Sequence, residues 1–486
     1  MEEAHNAVLL TWRRAWWAQG FKPVILGSAE AMSNPLYTEL QVKRLEGTLQ
    51  TELSMWLAWE NMGTGVLCHY LTLPMAPRED PLLVYLRHGE YPQLTRFDKW
   101  GNAMFIGSKA DITAAVMKAL ENPELKAQTA ESKGPKDFIS AVPEDTFKVD
   151  KSHDALAFYD DNVITTKYPK IAKDIVGNGA KGLQILNELV VSHLHSTWQN
   201  IFDEGISVVK PEPDHMTHAV SPAKKLATFL AQCPTSPLPA SCPPNRPKCK
   251  PCVAATPLKI STPKAYRNNS GLYTIGTVPH PYTMAVLTSF QDEIDIPWIR
   301  RKSKRDLWIT SLTQHLMGTG MSGAPRLVKF KEAVASELGR SRSLWVTAED
   351  DMPEDLDWHF GFTIPRTVTD NGKSETPVPG PERRPKVKPD IKDGPVPLDE
   401  DLKREQELLR QAKDWEKATK RKTGTKIRRS IEAWNLADTE AWKFARAFLA
   451  RNRVERQTWE NEEKRYAGGA GAERGKNEGW GRWFDD

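Results

Sequence analysis

The hydrophobic positions in the first part of the chain alternate between helical and strand-like spacing. Residues 8–18 (VLLTWRRAWWA) and 36–60 repeat apolar side chains at helical spacing. The runs Phe21–Gly27 and Val66–Leu73 are rich in Val, Ile and Leu and predict buried strands, the second after a glycine turn at 63–65. Alternation of this kind predicts an α/β fold with a mainly parallel sheet and flanking helices.

The pattern changes near residue 205 and divides the rest of the chain. Helical spacing continues over 167–205, whereas 206–262 is rich in proline and is expected to be dominated by loops. Mixed helix and strand patterns return before a stretch that is rich in proline and charge. The predicted units are an α/β domain (1–205), a Cys/Pro-rich and mixed module (206–365), a Pro-rich linker (366–397), a helical hairpin (398–467) and a Gly-rich tail (468–486).

The predicted hairpin consists of two apolar stripes at helical spacing, Leu402–Trp415 and Ile427–Phe448, separated by Gly424. Such stripes are typical of a core seam. If the hairpin does not fold onto the body of the protein, its stripe is a surface for a protein partner.

Charge and hydropathy exclude some classes of protein. The chain has 486 residues and a net charge of +4, from 67 basic and 63 acidic residues, which does not indicate nucleic-acid binding. The basic clusters 300–306 and 420–429 are interpreted as solvated faces, with nucleic-acid binding as a third-ranked alternative. No apolar run reaches the roughly 18–20 residues of a membrane helix. The start, Met1–His5, is acidic rather than basic, so the expected location is cytoplasmic.

Several segments carry a resemblance to a known family by their order along the chain. They are "TWRRAWWAQGFKPVIL" (11–26), "MWLAWENMGTGVL" (55–67), "GNAMFIGSKADITAAVMKAL" (101–120), "CPPNRPKCKPC" (242–252), "TIGTVPHPYT" (274–283) and "WIRRKSKRDLW" (298–308). Over roughly 8–365 the chain resembles a fungal family of glycosyltransferase-like proteins of the A fold. The resemblance implies a nucleotide-sugar as ligand and an Asp-x-Asp pair that holds Mn²⁺ or Mg²⁺ in intact relatives.

This chain departs from the family pattern at the metal site. Residues Gly63 and Gly65 match the glycine turn that approaches the donor sugar, but His69 and Leu71 stand where the two acids belong. Leucine binds no cation, and a neutral imidazole favours softer metals than Mg²⁺.

The chain also departs from the family pattern at its first strand, because too few residues precede the helix around Trp12 to form it. We therefore expect a truncated or degenerate sheet, no resident cofactor and an inactive relative. An upstream anchor would change the expected location to the secretory pathway or Golgi.

Plainer interpretations of the same residues stay open. A Gly-x-Gly turn before an apolar strand is common turn chemistry, and a histidine on such a strand is commonly a hydrogen-bonded core residue. The pair His193 and His195 could complete a metal shell, or be two histidines near the negative end of a helix dipole.

The cysteines suggest a crosslinked or metal-bound loop. Four cysteines in this loop follow the spacing C-x8-C-x6-C-x2-C: Cys233, Cys242, Cys249 and Cys252. This spacing supports either two disulfides in an oxidising compartment or a zinc site in a reducing one. Four cysteines allow three pairings, and Cys68 is expected to remain unpaired and buried. Asn268 begins a glycosylation sequon.

Two classes of function follow. The first is a glycosyltransferase-like protein with a degenerate metal site, which predicts a pocket around 63–73 deep enough for a nucleotide. The second is a non-enzymatic scaffold that holds a partner through the cysteine loop and the hairpin, which predicts a filled pocket and an exposed apolar stripe.

Overall fold

The computed structural model describes most of the chain up to residue 278 and four shorter stretches beyond it. The described residues are 1–45, 47–100, 103–125, 134–151, 154–209, 220–244, 246, 248–263, 269–278, 339–347, 352–353, 355–369 and 454–466. Helices and strands are both present, which confirms the mixed α/β class. The predicted tail and nearly all of the predicted linker and hairpin lie outside these residues, as do the basic clusters 300–306 and 420–429.

Fifteen helices are named in the described part of the chain. They are α1 (Glu2–Ala18), α2 (Ser28–Met32), α3 (Tyr37–Lys43), α4 (Gly47–Met62), α5 (Pro81–His88), α6 (Lys109–Glu121), α7 (Phe138–Ala141), α8 (Asp161–Lys167), α9 (Pro169–Gly177), α10 (Gly179–Ile201), α11 (Val220–Ala231), α12 (Gly339–Arg342), α13 (Leu356–Phe360), α14 (Arg366–Thr369) and α15 (454–463). The predicted single helix over 36–60 is two helices, because Arg44 ends α3 in the left-handed conformation at φ 52°.

Ten strands form two larger sheets and one two-stranded pair. The strands are β1 (Gly65–Cys68), β2 (Thr72–Pro74), β3 (Thr95–Phe97), β4 (Met104–Gly107), β5 (Lys148–Asp150), β6 (Leu156–Phe158), β7 (Gly205–Val209), β8 (Ile260–Ser261), β9 (Leu272–Val278) and β10 (Ser343–Thr347). The first sheet has the order β1-β4-β3-β5, the second β10-β9-β7-β8, and β2 pairs with β6.

The mainly parallel sheet predicted for the first domain is wrong. In the first sheet, β4 runs antiparallel to both β1 and β3, and only β3 and β5 are parallel. The connection 98–103 between β3 and β4 is too short for a parallel crossover, which needs about a dozen residues. In the second sheet every pairing is parallel.

Two predicted strands differ in the structure. The run 66–73 is divided between β1 and β2, because the His69 N–H donates to the Ala103 carbonyl (2.8 Å) and the Thr72 N–H donates to the His69 carbonyl (2.9 Å), which turns the chain. Residues 21–27 form neither strand nor helix. Pro23 removes one donor from this segment, and its apolar side chains cover a cavity rather than a sheet.

Hydrophobic side chains pack on both faces of the first sheet. Along β4, Met104 and Ile106 point into one cluster and Phe105 into another, as expected from strand alternation. The second cluster is built around Trp56, whose ring stacks on Phe138 with centroids 3.8 Å apart. The first cluster extends from α1 to β7, β9 and β10, so it crosses the predicted boundary at 205–206.

Helix α1 is covered on two sides. Its inner face places Trp12 and Trp16 in the first cluster. Its outer face packs Trp17 against Trp358 and Trp459, and Trp459 is 2% exposed. The described part of the predicted hairpin, 454–466, is thus folded onto the body of the protein.

Candidate functional site

A cavity of about 810 Å³ opens beside the glycine turn 63–65. Its walls come from the inner face of α1, the segment 21–29, the second half of α4, strand β1 and the chain just after α5. This volume lies within the range of about 300–1,000 Å³ usual for small-molecule sites.

The cavity lining is hydrophobic and aromatic. Its walls include the rings of Trp12, Trp16, Trp59 and Tyr91. Among the described residues that line it, none is Asp or Glu, and Lys22 is the one Lys or Arg. A lining of this composition suits an apolar ligand and offers little compensation to a diphosphate.

The glycine turn connects α4 to the sheet. Gly63 ends α4 at φ 97°, with its N–H donating to the Trp59 carbonyl over 3.0 Å. Thr64 Oγ1 accepts from the Lys109 N–H at 2.9 Å, which fixes the turn to the start of α6. Gly65 begins β1, and the nearest atom to a Cβ built there is Trp59 Nε1 at 3.9 Å.

The sequence predicts four residues in contact with a nucleotide-sugar donor, and three of them line the cavity. They are Gly63, Gly65 and His69. Leu71 is instead 8% exposed and packs in the first hydrophobic cluster. The turn at 69–71 explains this difference, because it directs position 69 toward the cavity and position 71 into the core.

His69 lines the main cavity, and part of its side chain remains exposed to solvent. Besides the main cavity it lines a smaller one of about 230 Å³, together with Trp100 and Phe158. Its Nδ1 accepts a hydrogen bond from the Leu71 N–H at 3.1 Å, so Nε2 carries the ring proton. Desolvation by the surrounding protein lowers the pKa of His69 to about 4. The ring is therefore neutral at pH 7.

Cys68 is the unpaired cysteine, as predicted. It lines the cavity, and its Sγ lies 3.8 Å from the Thr72 carbonyl oxygen. Burial raises the pKa of this thiol to about 12. The group stays a thiol at neutral pH and is a poor nucleophile or metal ligand.

The cavity lacks the ligand set of a divalent metal site. In the part of the chain that the structure describes, no group of three or more His, Cys, Asp or Glu residues could hold a metal ion. At the cavity itself, position 69 offers one neutral imidazole and position 71 no ligand at all. Hard cations such as Mg²⁺ and Mn²⁺ need oxygen ligands.

The two predicted metal histidines on α10 are engaged in the protein interior. Tyr159 OH donates to His193 Nδ1 (2.8 Å), and His193 Nε2 donates to Ser241 Oγ (2.9 Å), because that hydroxyl donates onward to a carbonyl. His195 Nε2 donates to the Leu230 carbonyl at 3.1 Å. Burial lowers the pKa of His193 to about 3 and of His195 to about 4. His193 thus connects α10 to the chain that follows α11, and His195 connects α10 to the last turn of α11 itself.

The cysteine loop contains two nested disulfides, Cys233–Cys252 and Cys242–Cys249. Disulfide formation was one of the two predicted outcomes, and this pairing is one of the three that the spacing allowed. The predicted sequon residue, Asn268, lies outside the described residues. Across the described residues, no helix combines the length and apolar character needed to span a membrane.

Sequence reasoning missed most of the cavity wall. The spacing of Trp12 and Trp16 predicts a helix, but it does not indicate that both rings also line a cavity. The signal that could have been used is the density of aromatic residues in segments that flank one glycine turn: Trp12, Trp16, Phe21, Trp59 and Tyr70.

The fold and the cavity define an α/β protein with a hydrophobic cavity of small-molecule size. By sequence, the chain belongs to a family described as a domain of unknown function (DUF8765), whose family model matches residues 1–486. No curated protein matches the chain, and no solved structure matches it.

Proposed function

We propose that this protein binds a largely apolar small molecule in the cavity beside the glycine turn, without a metal and without transferring a sugar. The observation that carries this proposal is the acid-free lining of an 810 Å³ cavity in which Lys22 is the one described cation. Aromatic walls supply the binding energy through burial of apolar surface, at about 25 cal/mol per Å².

The proposal keeps a glycosyltransferase-like ancestry for the chain. Support comes from the position of the cavity, since the predicted donor residues Gly63, Gly65 and His69 line it. In that ancestry, replacement of the acids by His69 and Leu71 removed the metal and with it the means to neutralise a departing diphosphate. The cavity remained, with its walls suited to a less polar ligand.

The alternative is a scaffold that binds a partner through the cysteine loop and the apolar stripe of the hairpin. That stripe, over 402–448, lies outside the described residues. Only the end of the predicted hairpin is described, and there Trp459 stacks on Trp17 with centroids 4.7 Å apart. The scaffold alternative predicts a filled pocket, so the open cavity favours the small-molecule proposal.

A fluorescence titration of the full chain tests the proposal. The probe is 8-anilinonaphthalene-1-sulfonate, an aromatic dye with one negative charge, detected by energy transfer from tryptophan. Gly65→Val introduces a side chain into the lining beside Trp59 without a backbone clash. We expect this variant to bind the dye at least tenfold more weakly, and we expect EDTA and Mn²⁺ to have no effect.

The matched control is Gly177→Val, at an exposed glycine of α9 where a new Cβ meets no heavy atom within 4 Å. It should bind the dye as the parent does. Equal dye binding by the parent and Gly65→Val would overturn the proposal. Tight binding of UDP-glucose that requires Mn²⁺ would restore the metal-dependent transferase.

A further inference from the structure

A second cavity, of about 560 Å³, lies at one edge of the parallel sheet. Its lining includes Asp203 and Glu204 just before β7, Gly271 just before β9, and Arg342 just before β10. Because these strands are parallel, their amino ends meet at the same edge. The cavity is separate from the one that carries the proposed function, and no described residue lines both.

The described lining of this second cavity has an excess of positive charge. The cations are Arg78, Arg246, Lys248, Lys250, Arg340 and Arg342, and the anions are Glu79, Asp203 and Glu204. Arg342 is paired with Glu79, with Nη2 and Oε1 2.7 Å apart. Glu204 accepts from Asn269 Nδ2 at 2.6 Å. Apart from the Arg342–Glu79 pair, the cations of the described lining outnumber its acids.

Two arginines are held in place at the inner part of the cavity. The Arg78 guanidinium lies against the backbone of Gly20, where a Cβ would come within 2.6 Å of its Nη2. Only glycine leaves this space, and its φ of +87° is also one that favours glycine. Arg340 lies over the ring of Trp17, with Cζ 5.7 Å from the ring centre. These two guanidinium groups are thus pre-positioned.

The environment of Arg340 leaves its charge only partly compensated. Burial lowers the pKa of Arg340, and neighbouring Arg78 and Arg456 act in the same direction. The acids Glu455 and Asp355 oppose this effect. Arg78 and Arg340 both line the cavity, so an anion that enters it would relieve the repulsion between these two guanidinium groups.

The disulfide loop brings three further cations to the same cavity. Arg246, Lys248 and Lys250 all lie between Cys242 and Cys252, within the nested disulfides. The Asn200 side chain donates to the Lys250 carbonyl and accepts from the Lys250 N–H, both at 2.9 Å. Arg246 Nη1 donates to the Asp154 carbonyl at 2.8 Å. These hydrogen bonds hold Arg246 and Lys250 against the body of the protein, so the crosslinked loop presents fixed positive charges to the cavity.

We propose that this second cavity is a binding site for a small phosphorylated molecule with at least two phosphate charges. Arginine forks match phosphate oxygens in bidentate geometry, and lysines on the loop add point charges at the rim. The same lining includes the aromatic residues Trp198, Phe202, Tyr273 and Phe360, which give an organic moiety an apolar surface. A diphosphate ester has both properties.

Isothermal titration calorimetry of the oxidised full chain tests this assignment. The probes are inorganic pyrophosphate and ADP, measured without added metal. We expect binding of ADP that weakens about tenfold in Lys248→Gln/Lys250→Gln, since charge-assisted hydrogen bonds of this kind contribute roughly tenfold or more. Both lysines are exposed, so the double variant should fold. Arg340→Gln should weaken binding further.

The matched control is Lys118→Gln, an exposed lysine on α6 that lines neither cavity. It should bind ADP as the parent does. Binding of pyrophosphate alone would support the site and limit recognition to the diphosphate. Absence of binding by both probes at millimolar concentration, or equal loss in the Lys118 variant, would overturn the proposal. Dye binding at the first cavity is scored independently, so failure of either proposal is distinguishable.

Discussion

The backbone N–H of Leu71 donates a 3.1 Å hydrogen bond to Nδ1 of His69. The two positions at which the family resemblance places metal-binding acids are thus bonded to each other across a tight turn. This bond occupies the Nδ1 lone pair, and the side chain of Leu71 is packed in the core. The hydrogen bond and the packing of Leu71 stabilise this turn without a bound cation.

The first prediction concerns metal dependence. The purified full chain should show no Mn²⁺-stimulated hydrolysis of a nucleotide-sugar, because the turn supplies one neutral imidazole and no oxygen ligand. The rate of this hydrolysis is measured as release of UDP from UDP-glucose, with and without Mn²⁺. Clear stimulation that is lost in His69→Ala would show that the site is an active metal centre.

The second prediction concerns stability at acid pH. His195 has a pKa of about 4 in the fold against an ordinary value of 6.5, so below pH 6.5 the unfolded chain takes up a proton that the folded chain does not. Its contribution is fully present above pH 6.5 and is lost as the pH falls toward 4. By pH 4.5 the loss is roughly 2–3 kcal/mol. Urea unfolding of the parent and His195→Gln at pH 7.0 and 4.5 measures it.

The variant His195→Gln should lose less stability between these two pH values than the parent. The control is His88→Gln, an exposed histidine at the end of α5, which should lose as much as the parent. Identical pH dependence in all three proteins would mean that His195 is not a buried neutral group.

The third prediction concerns the ion pair between Arg13 and Glu463, whose side chains are both 0% exposed. Removing one partner leaves a buried charge, so Glu463→Ala should cost about 3–5 kcal/mol in free energy of unfolding. Replacement of both by apolar residues, Arg13→Met/Glu463→Leu, should cost less than the sum of the single changes. Urea unfolding in a double-mutant cycle measures the coupling.

A surface pair provides the comparison. Lys99 and Asp154 are 2.7 Å apart but 38% and 53% exposed, so Asp154→Ala should cost less than about 1 kcal/mol. Additive effects of the Arg13 and Glu463 substitutions would show that α15 is not docked on α1 in solution.

The fourth prediction concerns the cysteines. Under denaturing, non-reducing conditions, thiol labelling and mass spectrometry should count one free thiol, Cys68, in protein made in an oxidising compartment. Closing a loop with a sequence separation of 19 contributes about 3 kcal/mol by the chain-entropy estimate. Reduction should therefore lower the unfolding midpoint and also weaken ADP binding. Five thiols with stoichiometric zinc would replace the disulfides by a metal site.

Local signals predicted several elements well. The apolar spacing over 8–18 predicts α1, although the helix begins earlier, at Glu2. Ser108 caps α6 by accepting from the Asp111 N–H at 3.2 Å, a signal that is readable within a few residues. The cysteine spacing likewise limits the loop to two alternatives, a pair of disulfides or a zinc site.

The remaining features depend on contacts distant in sequence. Nothing local distinguishes an apolar run that covers a cavity, such as 21–27, from one that enters a sheet. The turn at 69–71 depends on the carbonyl of Ala103, more than thirty residues away. The cation-rich cavity assembles from segments near residues 78, 246 and 340, so no motif in the sequence could indicate it.

The coverage of α1 by α15 has a consequence for synthesis of the protein on the ribosome. Arg13 leaves the ribosome before its partner Glu463, which is 450 residues further along the chain. At about 5–20 residues per second, translation of that interval takes roughly 20–90 s. Throughout this time the α15 side of the contact, with Glu463 and Trp459, does not yet exist. The outer face of α1 therefore gains this cover only after residue 463 has been made, long after the rest of α1 is available to fold.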